Sequence, residues 1–153
     1  MRALVLAAGL ALAAGSTRSE VRPEEVGVGN QLVQIELFET GEIMWVGPNQ
    51  YERTQVLSGP DIEIAAVLGD DAAVRMLGAP VVVAVQPGTQ TCEDFGDPRA
   101  YYVVTLGEAL ATDGPLTTCA ALTVSASGGA VVLQGEDEAW TWVPGQGFSA
   151  LPQ

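Results

Sequence analysis

Short alternations of apolar and polar residues run along most of this chain. In "QLVQIELF" the apolar Val33, Ile35 and Leu37 alternate with polar residues, which predicts a half-buried strand. After the turn "ETG", the segment "EIMWV" predicts the return strand of a hairpin. "YERTQVL" alternates weakly, as an edge strand does, and "GPDIEIAAVL" predicts a strand that begins after Pro60.

The second half of the chain contains more continuous apolar runs. "PVVVAVQ" and "AYYVVTL" are almost wholly apolar, which predicts strands covered on both faces. "CAALTVSASGGAVVLQ" predicts a hairpin that turns at Gly128-Gly129, and "AWTWV" predicts the last strand. The pattern therefore predicts a mainly β fold, an antiparallel sandwich or bent sheet of about eight short strands.

One segment, "GDDAAVRMLGAP", predicts a short helix at about residues 71–77. Asp70 is a good N-cap, Gly78 favours a helix end, and Pro80 prevents continuation. The connection around this helix is close to the shortest that permits a parallel crossover. A βαβ unit over residues 62–85 therefore remains an alternative to antiparallel pairing.

The N-terminus predicts export. Arg2 precedes an apolar run over residues 3–14 that contains an Ala-x-Ala cleavage pattern, and this run is too short to span a bilayer, which takes about 20 residues. We expect residues 1–15 to be a signal peptide, residues 16–30 a flexible arm and residues 31–153 a single β-rich domain. The protein is then soluble in the periplasm or outside the cell.

Composition restricts the partners. The chain has 19 carboxylates, six arginines and no lysine, a net charge of −13. Such a surface repels nucleic acid and anionic lipid, so neither is expected as a partner. No later apolar run approaches membrane-spanning length, so we do not expect an integral membrane protein.

Missing residue types restrict the chemistry further. Without histidine there is no Ser-His-Asp or Cys-His nucleophile, and without lysine there is no Schiff base or P-loop. We expect no catalytic residue, no cofactor and no metal. The enzyme alternative is a carboxylate-only, glycosidase-like hydrolase. Its candidate carboxyl groups, Glu36, Glu63 and Glu108, lie in or beside apolar strands but are expected to face solvent.

Two acidic patches, Glu93–Asp94–Asp97 and Glu136–Asp137–Glu138, raise the question of calcium binding. Neither has carboxylates at alternate positions of a 12-residue loop. We therefore interpret both as solvated turns.

Three aromatic residues form a candidate surface. Trp140 and Trp142 share one face of the last predicted strand, and Tyr101 and Tyr102 point to opposite faces of theirs. If exposed, Trp140, Trp142 and Tyr101 would offer a platform for a glycan or a protein. Because Thr141 and its neighbours on the other face are smaller and more polar, we expect the tryptophans to point inward.

The two cysteines, Cys92 and Cys119, are predicted to form a disulfide in an oxidising compartment. Their spacing of 26 residues is unlike the Cys-x-x-Cys of redox catalysts. A closed loop of this length stabilises the fold by about 3.5 kcal/mol in the chain-entropy model.

The segment after Cys92, residues 93–100, is a candidate binding loop. It carries Phe95, Asp97 and Arg99 in an otherwise acidic protein, and a loop made rigid by a disulfide could present them to a partner. In the simpler interpretation, Arg99 meets a nearby carboxylate at the surface.

Together these observations predict an exported, acidic β domain that acts as a non-catalytic binding or structural module. Its partner would be an envelope or extracellular protein, or a glycan. The alternatives are the carboxylate-only hydrolase and a secreted inhibitor that presents the loop 93–100.

The disulfide gives a testable expectation. Cys119→Ser should lower the melting temperature and leave a free thiol at Cys92, because the unfolded chain regains the entropy that the closed loop removes. A thermal melt together with a thiol count checks this. An unchanged melting curve, or two free thiols in the unmodified protein, would contradict it.

Overall fold

The computed structural model describes residues 24–94 and 96–152. Across these residues the chain forms twelve strands and one short helix, arranged as three antiparallel sheets of four consecutive strands each. This confirms the predicted mainly β, antiparallel fold with one short helix, with more strands than the eight expected. The predicted signal peptide, residues 1–15, lies outside the described residues.

The first sheet is a meander in the order β1-β2-β3-β4. Its strands are Glu24–Val28 (β1), Gln31–Phe38 (β2), Gly41–Gly47 (β3) and Thr54–Gly59 (β4). Strand β1 differs from the predicted flexible arm at residues 24–28, whereas residues 16–23 lie outside the described residues. It pairs with β2, and Val28 is buried in the core, so pairing and burial together order a segment whose composition is mostly polar.

The second sheet has the order β5-β6-β7-β8. Its strands are Glu63–Leu68 (β5), Val81–Pro87 (β6), Arg99–Leu106 (β7) and Leu110–Thr118 (β8). Strands β5 and β6 are antiparallel, so the alternative of a parallel crossover over residues 62–85 is wrong. The helix α1 (Asp71–Leu77) lies in the connection between two neighbouring strands.

The ends of α1 are those that the sequence predicts. Asp70 accepts the Ala73 N–H at 2.8 Å and so caps the first turn. At the other end Gly78 has a φ of 87° and donates its N–H to the Val74 carbonyl at 2.8 Å. A left-handed glycine at this position ends the helix and turns the chain into β6.

The third sheet has the order β9-β10-β11-β12. Its strands are Thr123–Ser127 (β9), Ala130–Gln134 (β10), Ala139–Val143 (β11) and Gly147–Ala150 (β12). The hairpin β9–β10 turns at Gly128 and Gly129, with φ of 58° and 81°. Two positive φ values in succession are typical of a type I′ turn, which matches the twist of the strands.

The sheets stack in three layers with the second sheet in the middle. Its side chains enter two separate cores. Val82 and Val104 pack with the first sheet in what we call the first core. Val81, Val83 and Val103 pack with the third sheet in the second core. All five side chains are fully buried. This confirms the prediction that the apolar strands β6 and β7 are covered on both faces.

We expect Val82→Ala and Val83→Ala each to lower the free energy of unfolding by about 2 kcal/mol. Each removes two buried methyl groups and leaves a cavity, the first on one side of the middle sheet and the second on the other. Val67→Ala, at an exposed position of β5, is the matched control and should cost no more than about 0.5 kcal/mol. Urea denaturation measures all three. A loss no larger than that of the control at either buried position would contradict the two-sided core.

Candidate functional site

An open cleft of about 570 Å³ lies at one end of the middle sheet, where β5 begins and β6 ends. Four of its ten lining residues are carboxylates, and Arg99 is the cation among them. The lining residues are Glu42, Asp61, Ile62, Glu63, Val85, Gln86, Pro87, Asp97, Pro98 and Arg99. We call this the acidic cleft.

Glu42 positions one wall of the acidic cleft. It is the second residue of β3, and its carboxylate accepts the Ile62 N–H at 2.6 Å. Ile62 is only 4% exposed, so this N–H is removed from water and depends on the carboxylate for its hydrogen bond. Glu42 therefore lines the cleft and also fixes the segment between β4 and β5.

Asp61 and Glu63 lie on either side of Ile62, and both are exposed. The Ile62 side chain is turned into the first core, so its two neighbours face outward. Asp61 has a φ of 44°, in the left-handed region that aspartate tolerates better than most residues. Two carboxylates are thus presented to solvent at the rim of the cleft.

Two polar atoms in the wall have no hydrogen-bond partner within the described part of the chain. They are Gln86 Oε1 and Arg99 Nε, and both are buried. The Gln86 amide lies close against Gly59, where a Cβ would come within 3.1 Å of it. An unpaired buried polar atom costs about 1–3 kcal/mol. A bound group that supplied a hydrogen bond to either atom would recover part of that free energy.

The predicted disulfide between Cys92 and Cys119 is confirmed, with a Cα–Cα distance of 5.7 Å. It ties the loop between β6 and β7 to the end of β8. The bridge fits an oxidising environment outside the cytoplasm.

Hydrogen bonds fix the same loop at its base. The Gly88 N–H donates to the Pro98 carbonyl at 2.9 Å, which joins the two ends of the loop. The Gln90 side chain donates to the carbonyls of Arg99 and Thr118, at 3.2 and 2.9 Å. The loop is thus held against β7 and β8 independently of the disulfide.

Of the three residues predicted for the candidate binding loop, Asp97 and Arg99 line the acidic cleft. They form a loose ion pair of 3.9 Å, with the Asp97 side chain 83% exposed. Arg99 is the first residue of β7 and contributes to the cleft wall. Phe95 lies outside the described residues.

The candidate aromatic surface does not form, because two of its three residues, Trp142 and Tyr101, are buried. Trp142 is 1% exposed and donates its indole N–H to Asp113, and Tyr101 is 3% exposed and accepts the Leu122 N–H. Trp140 is half-buried and packs against the second core. The expectation that the tryptophans point inward is confirmed for Trp142, because the third sheet buries this face against the middle one.

The three carboxylates considered for hydrolysis lie apart. Only Glu63 lines the acidic cleft. Glu36, on the first sheet, pairs with Arg53 at 2.7 Å, and the Arg53 guanidinium stacks 4.5 Å above the Trp45 ring. Glu108 is exposed in the turn between β7 and β8, at the opposite end of β7 from the cleft.

The two acidic patches, at residues 93–97 and 136–138, differ in their contacts. Glu138 accepts hydrogen bonds from Thr118 and from the Trp140 indole, whereas Glu93, Asp94, Glu136 and Asp137 are exposed. In the part of the chain that the structure describes, no group of three or more acidic or cysteine side chains is arranged to hold a metal ion.

Sequence reasoning missed Glu42, Asp61 and Gln86. Two of them carry a signal that could have been found, since Glu42 lies in phase with the buried Met44 and Gln86 in phase with the buried Ala84. A polar residue on the core-facing side of a strand, next to buried apolar residues on the same side, marks the point where the core meets solvent. Asp61 has no such signal, because its place depends on the chain reversal between β4 and β5.

Comparison with known proteins gives no relative, since no protein-family model, curated protein or solved structure matches this chain. Among the described residues, no helix is both long enough and apolar enough to cross a membrane.

We expect Glu42→Ala to lower the free energy of unfolding by about 1–3 kcal/mol, because it leaves the buried Ile62 N–H without an acceptor. Glu42→Gln keeps an acceptor oxygen and should lower the free energy of unfolding by less than about 1 kcal/mol. Glu63→Ala, an exposed carboxylate of the same cleft, is the control and should change stability by no more than about 0.5 kcal/mol. Urea denaturation distinguishes these values. Equal stability of the alanine and glutamine variants at position 42 would contradict this role.

Proposed function

We propose that this chain is an exported, non-catalytic binding module whose acidic cleft takes a basic segment of an envelope or extracellular protein. The observation that carries the proposal is the composition of the cleft, an open concave surface with four carboxylates and one arginine. Its volume lies within the range of natural ligand sites.

Electrostatics favours a cationic ligand. Asp61 and Glu63 are exposed at the rim, and Glu42 adds a third carboxylate in the wall. A concave surface lined mainly by one sign of charge concentrates its field, and the net charge of −13 adds to it. Val85 and Pro87 give the cleft apolar patches on which the aliphatic stem of an arginine or lysine can pack.

The geometry favours a binding module over a hydrolase. A glycosidase needs one carboxyl group that stays protonated in apolar surroundings beside a second one that is ionised. Asp61, Glu63 and Asp97 are exposed, and Glu42 accepts a backbone N–H. Among the described residues no aromatic side chain lines the cleft, which also weighs against a glycan as the ligand.

The inhibitor alternative is supported less well. An inhibitor presents a protruding loop that enters the active site of its target. Here Arg99 contributes to a concave wall, and the base of the loop is bonded to β7 and β8. This surface is suited to receive a segment of another protein.

Export is supported by two independent features. Residues 3–14 form an apolar run behind Arg2, as in secretory signal peptides, and Cys92 and Cys119 are joined as in proteins of oxidising compartments. The periplasm and the extracellular space both meet this requirement.

Two double variants of equal net charge test the proposal. Asp61→Asn/Glu63→Gln neutralises the rim of the cleft, and Glu136→Gln/Asp137→Asn neutralises two exposed carboxylates in the turn between β10 and β11. Asparagine tolerates the positive φ of position 61, so the first variant should fold normally.

The probe is a short peptide with two arginines, and binding is measured by fluorescence anisotropy near physiological ionic strength. We expect the rim variant to bind about five- to tenfold more weakly than the unmodified protein, since two cation contacts lose their charge. The variant at positions 136 and 137 should bind within about twofold of the unmodified protein. Equal losses in the two variants would show attraction by overall charge only and would overturn the proposal.

A further inference from the structure

Strand β5 is an edge of the middle sheet. It pairs with β6 on one side, and no described strand pairs with its other side. An unpaired edge leaves a row of backbone N–H and C=O groups that can pair with another extended chain. One register irregularity lies between Ile64 and Ala66, so an added strand would pair with β5 on either side of Ala65.

A second cavity lies at the other end of β5. It has a volume of about 320 Å³ and lies between β5, α1 and β9. Its lining residues are Val67, Leu68, Asp70, Ala72, Ala73, Met76, Ser125 and Ala126. We call it the helix groove. It is mainly apolar, and two of its lining residues, Val67 and Met76, are each 39% exposed.

The two cavities therefore flank one edge strand. Glu63, in the acidic cleft, lies opposite Val85, and Leu68, in the helix groove, lies opposite Val81. Val85 and Val81 are four residues apart, so the two positions share a face of the sheet and lie roughly 13 Å from one another. A regular strand added to β5 would reach both cavities with side chains four residues apart.

We infer that β5 receives an extended segment of the partner as a fifth strand of the middle sheet. A basic side chain enters the acidic cleft and an apolar side chain, four residues along, enters the helix groove. This inference rests on the proposed function and specifies its ligand. Main-chain hydrogen bonds to the β5 edge supply affinity, and the two cavities supply specificity.

Charge argues for a different protein as the partner, and against a second copy of this chain. Two copies paired through β5 would bring Asp61 and Glu63 of each into the same interface, between molecules that each carry a net charge of −13. Like charges in opposition disfavour such a dimer. A segment with a basic residue removes this repulsion.

Synthetic peptides test the spacing. Two threonine-rich octapeptides carry one arginine and one leucine four positions apart, one in each order, so that both strand directions are covered. Matched peptides carry the same residues three positions apart, which turns the leucine to the opposite face. We expect one of the two peptides with arginine and leucine four positions apart to bind roughly tenfold more tightly than the matched peptide in which they are three positions apart.

Methylation of the peptide backbone tests the pairing without altering the protein. Successive N–H groups of a strand point to alternate sides, so methyl groups on every second amide block one edge only. Two versions of the better peptide are methylated on complementary sets of amides. We expect one version to lose binding by at least roughly tenfold and the other to retain it.

A pair of protein variants tests the helix groove. Met76→Glu places a charge at the groove, and Leu151→Glu places one at a position of equal exposure outside the residues that line it. We expect Met76→Glu to abolish the preference for the four-residue spacing, and Leu151→Glu to preserve it.

The outcomes separate this inference from the proposed function. Equal binding of all peptides, still weakened by Asp61→Asn/Glu63→Gln, would overturn strand addition and leave the cationic cleft in place. If no arginine peptide binds, or if binding is indifferent to the cleft variant, both proposals fail. A four-residue preference, lost on methylation of one edge and in Met76→Glu, supports the fifth strand.

Discussion

The burial of the middle sheet on both faces is the constraint on which this structure depends. Val81 to Ala84 of β6 are fully buried, and successive side chains enter different cores. Because β6 and β7 supply apolar side chains to both sides, each outer sheet needs only one apolar face. The outer faces can then carry polar residues, such as Glu36 of β2, which pairs with Arg53 just before β4.

The acidic cleft lies where this two-sided core ends. The apolar run of β6 stops at Gln86 and Pro87, and β7 begins with Arg99, so the layers are no longer held together by buried side chains there. Glu42 reaches the same end and bonds to the backbone between β4 and β5. The disulfide and the Gln90 side chain fix the remaining wall. The cleft thus forms where the stacked sheets stop packing against one another, and hydrogen bonds and the disulfide hold its walls in place.

Acidic side chains serve two purposes in this molecule. Glu42 and Asp113 are partners of a backbone N–H and of the Trp142 indole, and so contribute to the fold. Asp61 and Glu63 have exposed positions at the rim of the cleft, where their charge is available to a ligand. Part of the excess negative charge is therefore concentrated at one concave surface, and for this reason we propose the cleft as the binding surface.

The sequence by itself determined the fold class, the helix from its caps, the two-sided burial of β6 and the disulfide. Periodicity and capping residues are local signals, and two cysteines allow only one internal pair. It missed β1, β8 and β12, which are all edge strands. An edge faces solvent and tolerates Gly114 and Pro115 in β8, where the register with β7 shifts, so its composition resembles a turn. Only the tertiary structure brought Asp61, Glu63 and Arg99 to one cleft and separated Glu36 and Glu108 from it. Contacts between stacked sheets join residues that are far apart in the sequence, so no local pattern of residues predicts them.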